Sequence, residues 1–148
     1  MTLQTLIWLF LLPVSGISLI DSDPVDINLN DYKWENRILL LFSDDNTDKL
    51  YQQQLSLLNY HRSELDERDL ILISVFEEGG SSPDGNDISR ASAKQLKDSY
   101  RTMNQPFTFI LIGKDGGVKL KSNEVVLMDD LFGRIDSMPM RRQEMRGR

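Results

Sequence analysis

The chain has 148 residues, of which 40% are apolar and 27% charged, and its 23 acidic and 17 basic residues give a net charge of −6. This length fits one domain rather than two. The chain contains no cysteine, which excludes thiol redox chemistry, thiolate nucleophiles, iron–sulfur clusters and cysteine-based structural zinc sites. The net negative charge argues against broad nucleic-acid binding, which depends on a basic face.

The N-terminal segment is strongly apolar over Leu6–Leu12 and then contains small residues, interrupted by Pro13 and Gly16. This pattern predicts a signal peptide over residues 1–20. A retained membrane anchor is the alternative, although the interruption comes well short of the roughly 20 apolar residues that span a bilayer. We therefore expect a secreted or periplasmic protein, with membrane attachment only through this segment if it is not cleaved. The polar residues 21–31 predict a linker.

From residue 32 onward, short apolar runs alternate with polar stretches of helical spacing, which is typical of an α/β fold. The continuous apolar run Ile38–Phe42 predicts a buried strand, and Asp69–Phe76 predicts a second one. A helix lies between them, so the two strands are expected to be parallel. The core-facing residues of that helix are predicted to be Tyr51, Leu55, Leu58 and Leu65.

The rest of the domain is predicted to contain a mobile loop (77–87), a helix (Ile88–Arg101), two strands (Phe107–Ile112 and Val118–Lys121) and a closing helix (Leu127–Met138). The dipeptide Asp115-Gly116 between the last two strands indicates an antiparallel hairpin. The sequence therefore predicts a mixed four-stranded sheet in one domain over residues 32–140, followed by a basic C-terminal tail over 141–148.

This order of elements, with Pro106 directly before the third strand, resembles the thioredoxin-like fold. In that fold a redox pair of cysteines follows the first buried strand, where this chain has Ser43–Asp48, and the proline is cis and faces the pair. The resemblance implies an α/β, three-layer thioredoxin-like fold with no redox activity.

A closer resemblance is carried by four strings, which are Trp34 with Arg37, Glu67–Leu70, Gly113–Leu120 and Met138–Met145. They resemble an uncharacterised thioredoxin- and peroxiredoxin-like domain, a domain of unknown function found in secreted coiled-coil-domain and sushi-repeat matrix proteins and alone in exported bacterial chains. That family has no agreed activity, so the resemblance implies a fold and a compartment but no reaction. Within the first string, Trp34 is expected to anchor the core at the sheet edge.

Basic residues concentrate in the hairpin and in the C-terminal tail of this otherwise acidic chain. If the hairpin and the tail lie on the same side, they form a positive patch suited to an anionic polymer or an acidic protein. The alternative is internal pairing of the two tail arginines with acids, for which the candidates are Glu67, Asp69 and Glu144. The binding residues predicted by the first interpretation are Lys114, Lys119, Lys121, Arg141 and Arg142.

The acidic segment Asp44–Asp48 follows a buried strand, at the position where open α/β sheets bind ligands. It does not match a calcium loop, because Lys49 stands where the sharp turn needs glycine. A divalent-metal-dependent hydrolase using this loop is one alternative function, and a peptide-binding chaperone acting beside Pro106 is another. Capping of the next helix is the simpler interpretation of the acids.

His61 is the single histidine of the sequence, and one histidine without sulfur partners does not make a typical zinc site. It is interpreted as a surface residue. The sequence thus predicts no catalytic residue, no metal site and no cofactor. Our expectation is an exported, redox-inactive binding or structural module, not an enzyme, which binds an anionic envelope or matrix partner and no nucleic acid.

Overall fold

The computed structural model describes residues 23–101 and 103–147, and the predicted signal peptide over 1–20 lies outside these residues. The strands are β1 (Arg37–Ser43), β2 (Leu70–Phe76), β3 (Gly79–Ser81), β4 (Phe107–Ile112) and β5 (Val118–Ser122). The α-helices are α1 (Lys49–Tyr60), α2 (Arg62–Glu67), α3 (Arg90–Tyr100), α4 (Met128–Asp136) and α5 (Pro139–Arg146), and a short 3₁₀ helix covers Leu29–Tyr32. Within this part of the chain no helix combines the length and the apolar character needed to cross a membrane.

The five strands form one mixed sheet in the order β3-β2-β1-β4-β5. Strand β1 is central, with all seven residues buried, and it pairs in parallel with β2 and antiparallel with β4. Alternate residues of a strand face opposite sides of a sheet. Leu39 and Leu41 therefore pack with α1, α2 and α4 on one face, whereas Ile38 and Leu40 pack with α3 on the other.

A fifth strand, β3, lies inside the segment 77–87 that was predicted to be a mobile loop. It pairs antiparallel with β2, and Gly80 lies opposite Val75. A Cβ atom on Gly80 would lie 2.0 Å from the carbonyl oxygen of Ser74, so this pairing requires a glycine. The prediction of a four-stranded sheet is therefore wrong, because a short strand without apolar side chains has no alternation for a sequence pattern to detect.

The predicted helix after β1 is divided into α1 and α2 at His61. The backbone N–H of His61 donates to the carbonyls of Leu57 and Leu58 and so ends α1. The imidazole lies half-buried at this junction, with its ring centroid 5.9 Å from that of Phe132 and its Nδ1 3.3 Å from Glu64 Oε1. His61 therefore has a packing role between the two short helices.

Both ends of the described chain pack onto the domain. Val25 forms an isolated parallel bridge with Ile88, and the N–H of Ile27 donates to Ser92 Oγ at 2.9 Å. The described part of the predicted linker 21–31 thus lies along α3. At the other end, Pro139 begins α5, so the predicted boundary at residue 140 falls inside a helix, and the predicted basic tail is helical as far as residue 146.

Candidate functional site

The carboxyl end of β1, where the thioredoxin-like fold carries its redox pair, is surrounded by charged side chains. Arg101 binds Asp44 at 2.5 Å and also binds Glu77, and Lys97 Nζ lies 3.1 Å from Glu77 Oε2. Hydrogen bonds from Lys97 and Arg101 hold the pKa of Glu77 below its usual value. Pro106 lines the same cleft. The peptide bond before Pro106 is trans, since no peptide bond of the described residues is cis. The acids that line this cleft are therefore paired with bases.

The side chains of the acidic segment Asp44–Asp48 do not converge on one point. Asp48 accepts a hydrogen bond from the N–H of Tyr51 at 2.9 Å and caps α1. Asp45 accepts from the hydroxyl and the N–H of Thr47, and these bonds lower the pKa of its carboxyl. Capping by Asp48 is thus confirmed. Among the described residues, no group of three or more histidine, aspartate and glutamate side chains could hold a metal ion.

An ionic cluster lies at the opposite end of the sheet, where the amino end of β1, the segment before β2, the β4–β5 hairpin and α4–α5 meet. Its members are Arg37, Arg68, Lys114, Arg141, Glu67, Asp69, Asp136 and Glu144. Arg37 and Arg141 are each only 1% exposed. Guanidinium groups this deeply buried require acidic partners, because removing a charge from water is costly.

Glu144 connects α5 to the sheet through this cluster. Its two carboxylate oxygens accept hydrogen bonds from the two terminal nitrogens of Arg37, both at 3.2 Å, and Lys114 Nζ lies 2.9 Å from Oε1. Burial of the Glu144 carboxyl acts to raise its pKa, but the hydrogen bonds from Lys114 and Arg37 outweigh burial and leave the pKa below its usual value. Helix α5 is therefore held to the amino end of β1 by charge-assisted hydrogen bonds.

Arg141, which was predicted to bind a partner, is a buried member of the ionic cluster. Its Nη2 lies 2.8 Å from Glu67 Oε1 and its Nε lies 3.2 Å from Asp136 Oδ1. Burial acts to raise the pKa of Asp136, but hydrogen bonds from Arg68 and Arg141 lower it overall. The alternative prediction of internal pairing is confirmed for Arg141. Its neighbour Arg142 is exposed and has no ion-pair partner among the described residues.

A cavity of about 280 Å³ opens beside the ionic cluster, between the β4–β5 hairpin and the α4–α5 junction. We call it the hairpin cavity. Its cationic lining residues are Arg37, Lys114, Lys119 and Arg134, and its apolar wall is formed by Met138, Pro139 and Met140. Asp115 is the single acid among the described residues that line it. The cavity therefore combines an excess of positive charge with an apolar wall.

The structure brings together two of the five predicted binding residues, Lys114 and Lys119, at the hairpin cavity. Lys121 lies instead in a groove shared with acids that include Glu124 and Asp129, and its Nζ donates to the carbonyl of Tyr100 at 2.7 Å. The two arginines of the cavity were missed because they come from β1 and α4. The packing of those elements against the hairpin is a long-range property that no local pattern in the sequence indicates.

Trp34 does not anchor the core, so that prediction is wrong. The side chain is 64% exposed, and its backbone φ of 69° is in the left-handed region. A bulky residue in this conformation is an uncommon outlier. The N–H of Trp34 donates to the carbonyl oxygen of Lys114 at 2.7 Å, which places the backbone of Trp34 beside the turn between β4 and β5, where Lys114 lines the hairpin cavity.

Comparison with protein families gives one match that covers most of the chain. The family described as "Domain of unknown function (DUF4174)" matches residues 28–144. The chain belongs to this family. A curated relative of this DUF4174 domain, the zebrafish (Danio rerio) protein "Coiled-coil domain-containing protein 80", is 26% identical over 133 residues. The match covers 79% of this chain and 15% of the relative, so the chain spans a small part of that protein's length.

Solved structures confirm the thioredoxin-like fold of the DUF4174 domain. The reduced 2-Cys peroxiredoxin of Plasmodium vivax matches with a TM-score of 0.59 at 17% identity, covering 82% of this chain and 74% of the other. The thioredoxin domain of a thiol-disulfide oxidoreductase from Bacteroides vulgatus matches with a TM-score of 0.50 at 16% identity, covering 74% and 83%. Identities this low show the fold alone. This fold in a chain without cysteine fits a redox-inactive module.

Proposed function

We propose that this DUF4174 domain is a binding module that recognises an anionic partner at the hairpin cavity. The proposal rests mainly on the convergence of four cationic side chains, from β1, α4 and the hairpin, on one cavity. The whole chain carries a net charge of −6, whereas four bases and one acid line this cavity. A cleft lined by one sign of charge raises the local concentration of ligands of the opposite sign.

Two of the four cations are well placed to bind a ligand. Arg134 is exposed and has no ion-pair partner among the described residues. Lys119 pairs with Asp115 at 2.7 Å, but both side chains are partly exposed, and a pair of this kind contributes little stability. Lys114 and Arg37, in contrast, are both bound to Glu144. We therefore assign ligand binding chiefly to Lys119 and Arg134.

The two alternative functions have weaker support. A divalent-metal hydrolase would need free acids after β1, but Asp44 is bound to Arg101 and Asp48 caps α1. A peptide-binding chaperone would use the cleft beside Pro106, whose charged lining residues, including Lys97, are paired with one another. The hairpin cavity is a stronger candidate because one of its arginines has no acidic partner in the described part of the chain.

Retention on a sulfonated resin tests the proposal. We expect the protein to be retained at physiological salt, and the double variant Lys119→Gln/Arg134→Gln to elute, because the two cations that face the ligand are lost. The matched control is Arg90→Gln/Lys94→Gln on α3, which removes the same charge from exposed pairs on the other face of the sheet. If both double variants elute together, retention depends on net charge and the proposal is wrong.

We also propose that the protein is exported. The support is the apolar run Leu6–Leu12 followed by small residues, which is typical of a signal peptide. N-terminal sequencing of the protein recovered from the periplasm or the medium should give a chain that begins after residue 12. Recovery from the cytosol of a chain that still begins at Met1 would contradict export.

A further inference from the structure

We infer that the ligand of the hairpin cavity is an acidic peptide segment of a partner protein, in which a carboxylate side chain stands next to an apolar side chain. This inference rests on the proposed function, because it assumes that the cavity binds an anion. It goes further in naming the chemical class of the ligand. Three features of the cavity and its border support it.

The first feature is an arginine with an unpaired donor. Arg37 lines the hairpin cavity and is 1% exposed. Its terminal nitrogens bind Glu144 and the carbonyl of Arg68, whereas its Nε is buried and has no hydrogen-bond partner in the described part of the chain. Buried donors are rarely left unpaired in native proteins. A carboxylate in the cavity would supply acceptor oxygens beside Arg37 and would form charge-assisted hydrogen bonds with Arg134.

The second feature is the apolar wall of Met138, Pro139 and Met140. Methionine side chains adapt to irregular apolar groups, so such a wall fits an aliphatic or aromatic side chain. A sulfated sugar chain presents hydroxyl and sulfate groups and would leave this wall without a partner. The cavity, at about 280 Å³, is also slightly smaller than the roughly 300 to 1,000 Å³ of pockets for drug-sized ligands. It therefore fits one or two side chains rather than a polymer segment.

The third feature is a pair of exposed apolar residues whose backbones lie next to members of the ionic cluster. Trp34, 64% exposed, is held by a backbone hydrogen bond to Lys114. Met145, 42% exposed, follows Glu144 in α5. A tryptophan that is both exposed and in the left-handed region has no packing reason for its conformation, and such outliers occur often at ligand-binding sites. Because their backbones adjoin Lys114 and Glu144, we assign to these residues further apolar contacts with a peptide that extends out of the cavity.

Fluorescence polarisation with labelled peptides tests the inference on the full chain. The probe is an eight-residue peptide in which two adjacent glutamates are flanked by leucines. Two matched peptides replace the glutamates by glutamine or the leucines by serine, and a labelled sulfated hexasaccharide represents the polysaccharide alternative. We expect the first probe to bind and the glutamine peptide to bind at least about tenfold more weakly, as expected for loss of a charge-assisted contact. The serine peptide should bind about fivefold more weakly because apolar burial is lost.

Protein variants connect the binding to the cavity. The double variant Lys119→Gln/Arg134→Gln should bind the leucine–glutamate peptide at least about tenfold more weakly. The variant Trp34→Ser should show a smaller difference in affinity between the leucine and serine peptides. Equal affinity for the leucine and serine peptides, or binding of the hexasaccharide alone, would overturn the inference. If resin retention still depends on Lys119 and Arg134 in that case, the proposed function stands and the peptide assignment fails. If resin retention is also unaffected by these substitutions, the proposed function fails as well.

Discussion

Replacing Arg141 by alanine should lower the free energy of unfolding by about 3 to 5 kcal/mol, the cost of removing one partner from a buried ion pair. Arg141 is 1% exposed and binds Glu67 and Asp136 through charge-assisted hydrogen bonds. Its loss leaves the partly buried Asp136 with Arg68 as its remaining cationic partner. Urea denaturation monitored by circular dichroism measures the change.

The next residue in the chain supplies the control. Arg142 has the same side chain on the same helix, but it is exposed and has no ion-pair partner among the described residues. Arg142→Ala should change the free energy of unfolding by no more than about 0.5 kcal/mol, as is usual for surface sites. Equal effects of the two substitutions would show that the ionic cluster does not stabilise the domain.

Acid should destabilise the domain in part through the same cluster. The pKa values of Glu144 and Asp136 are lowered in the folded state from usual values of 4.5 and 3.8. A carboxyl group whose pKa is lower in the folded state than in the unfolded state stabilises the fold above its unfolded pKa. That contribution is lost as the pH falls through the folded pKa. Thermal melting between pH 7 and pH 2 should therefore show a steep loss of stability below about pH 4.5.

The variant Glu144→Gln distinguishes the contribution of this cluster to acid sensitivity from that of the other acids of the domain. It should be less stable than the parent at pH 7, because Arg37 and Lys114 lose their shared carboxylate. Its stability should also depend less on pH below 4.5 than that of the parent, since one lowered pKa is gone. Parallel pH profiles for the two proteins would contradict the assignment of acid sensitivity to Glu144.

The parts of the fold that were predicted correctly are those with strong local patterns. The apolar runs of β1, β2 and β4 and the Asp115-Gly116 turn of the hairpin are sufficient to predict four strands, the parallel pairing of β1 with β2 and the antiparallel hairpin of β4 with β5. Strand β3 and helix α5 are among the elements that these patterns do not predict. Strand β3 consists of Gly79, Gly80 and Ser81 and has no apolar side chain to detect. Helix α5 begins at Pro139, where the sequence pattern predicts the end of the previous helix, although proline is also favoured in the first turn of a helix.

The candidate site was less predictable because it depends on contacts between distant segments. Lys114 and Lys119 were found from local charge in the hairpin. The concentration of basic residues at the C-terminal end predicts the same patch for Arg141, yet in the structure Arg141 is buried and pairs with the acids Glu67 and Asp136. The positive charge that a surface offers to a ligand depends on which of its bases are already paired with acids. Pairing across 74 residues is a property of the folded chain.

The bridge of Val25 to Ile88 lies near the carboxyl end of β2, since Ile88 donates its N–H to Gly80. Glu144, in contrast, binds Arg37 at the amino end of the parallel neighbour β1. The described polypeptide thus enters the domain at one end of the strands and leaves at the other, beside the hairpin cavity. A fluorophore or fusion partner attached near residue 25 would stand far from the cavity, whereas one attached after residue 147 would crowd its entrance.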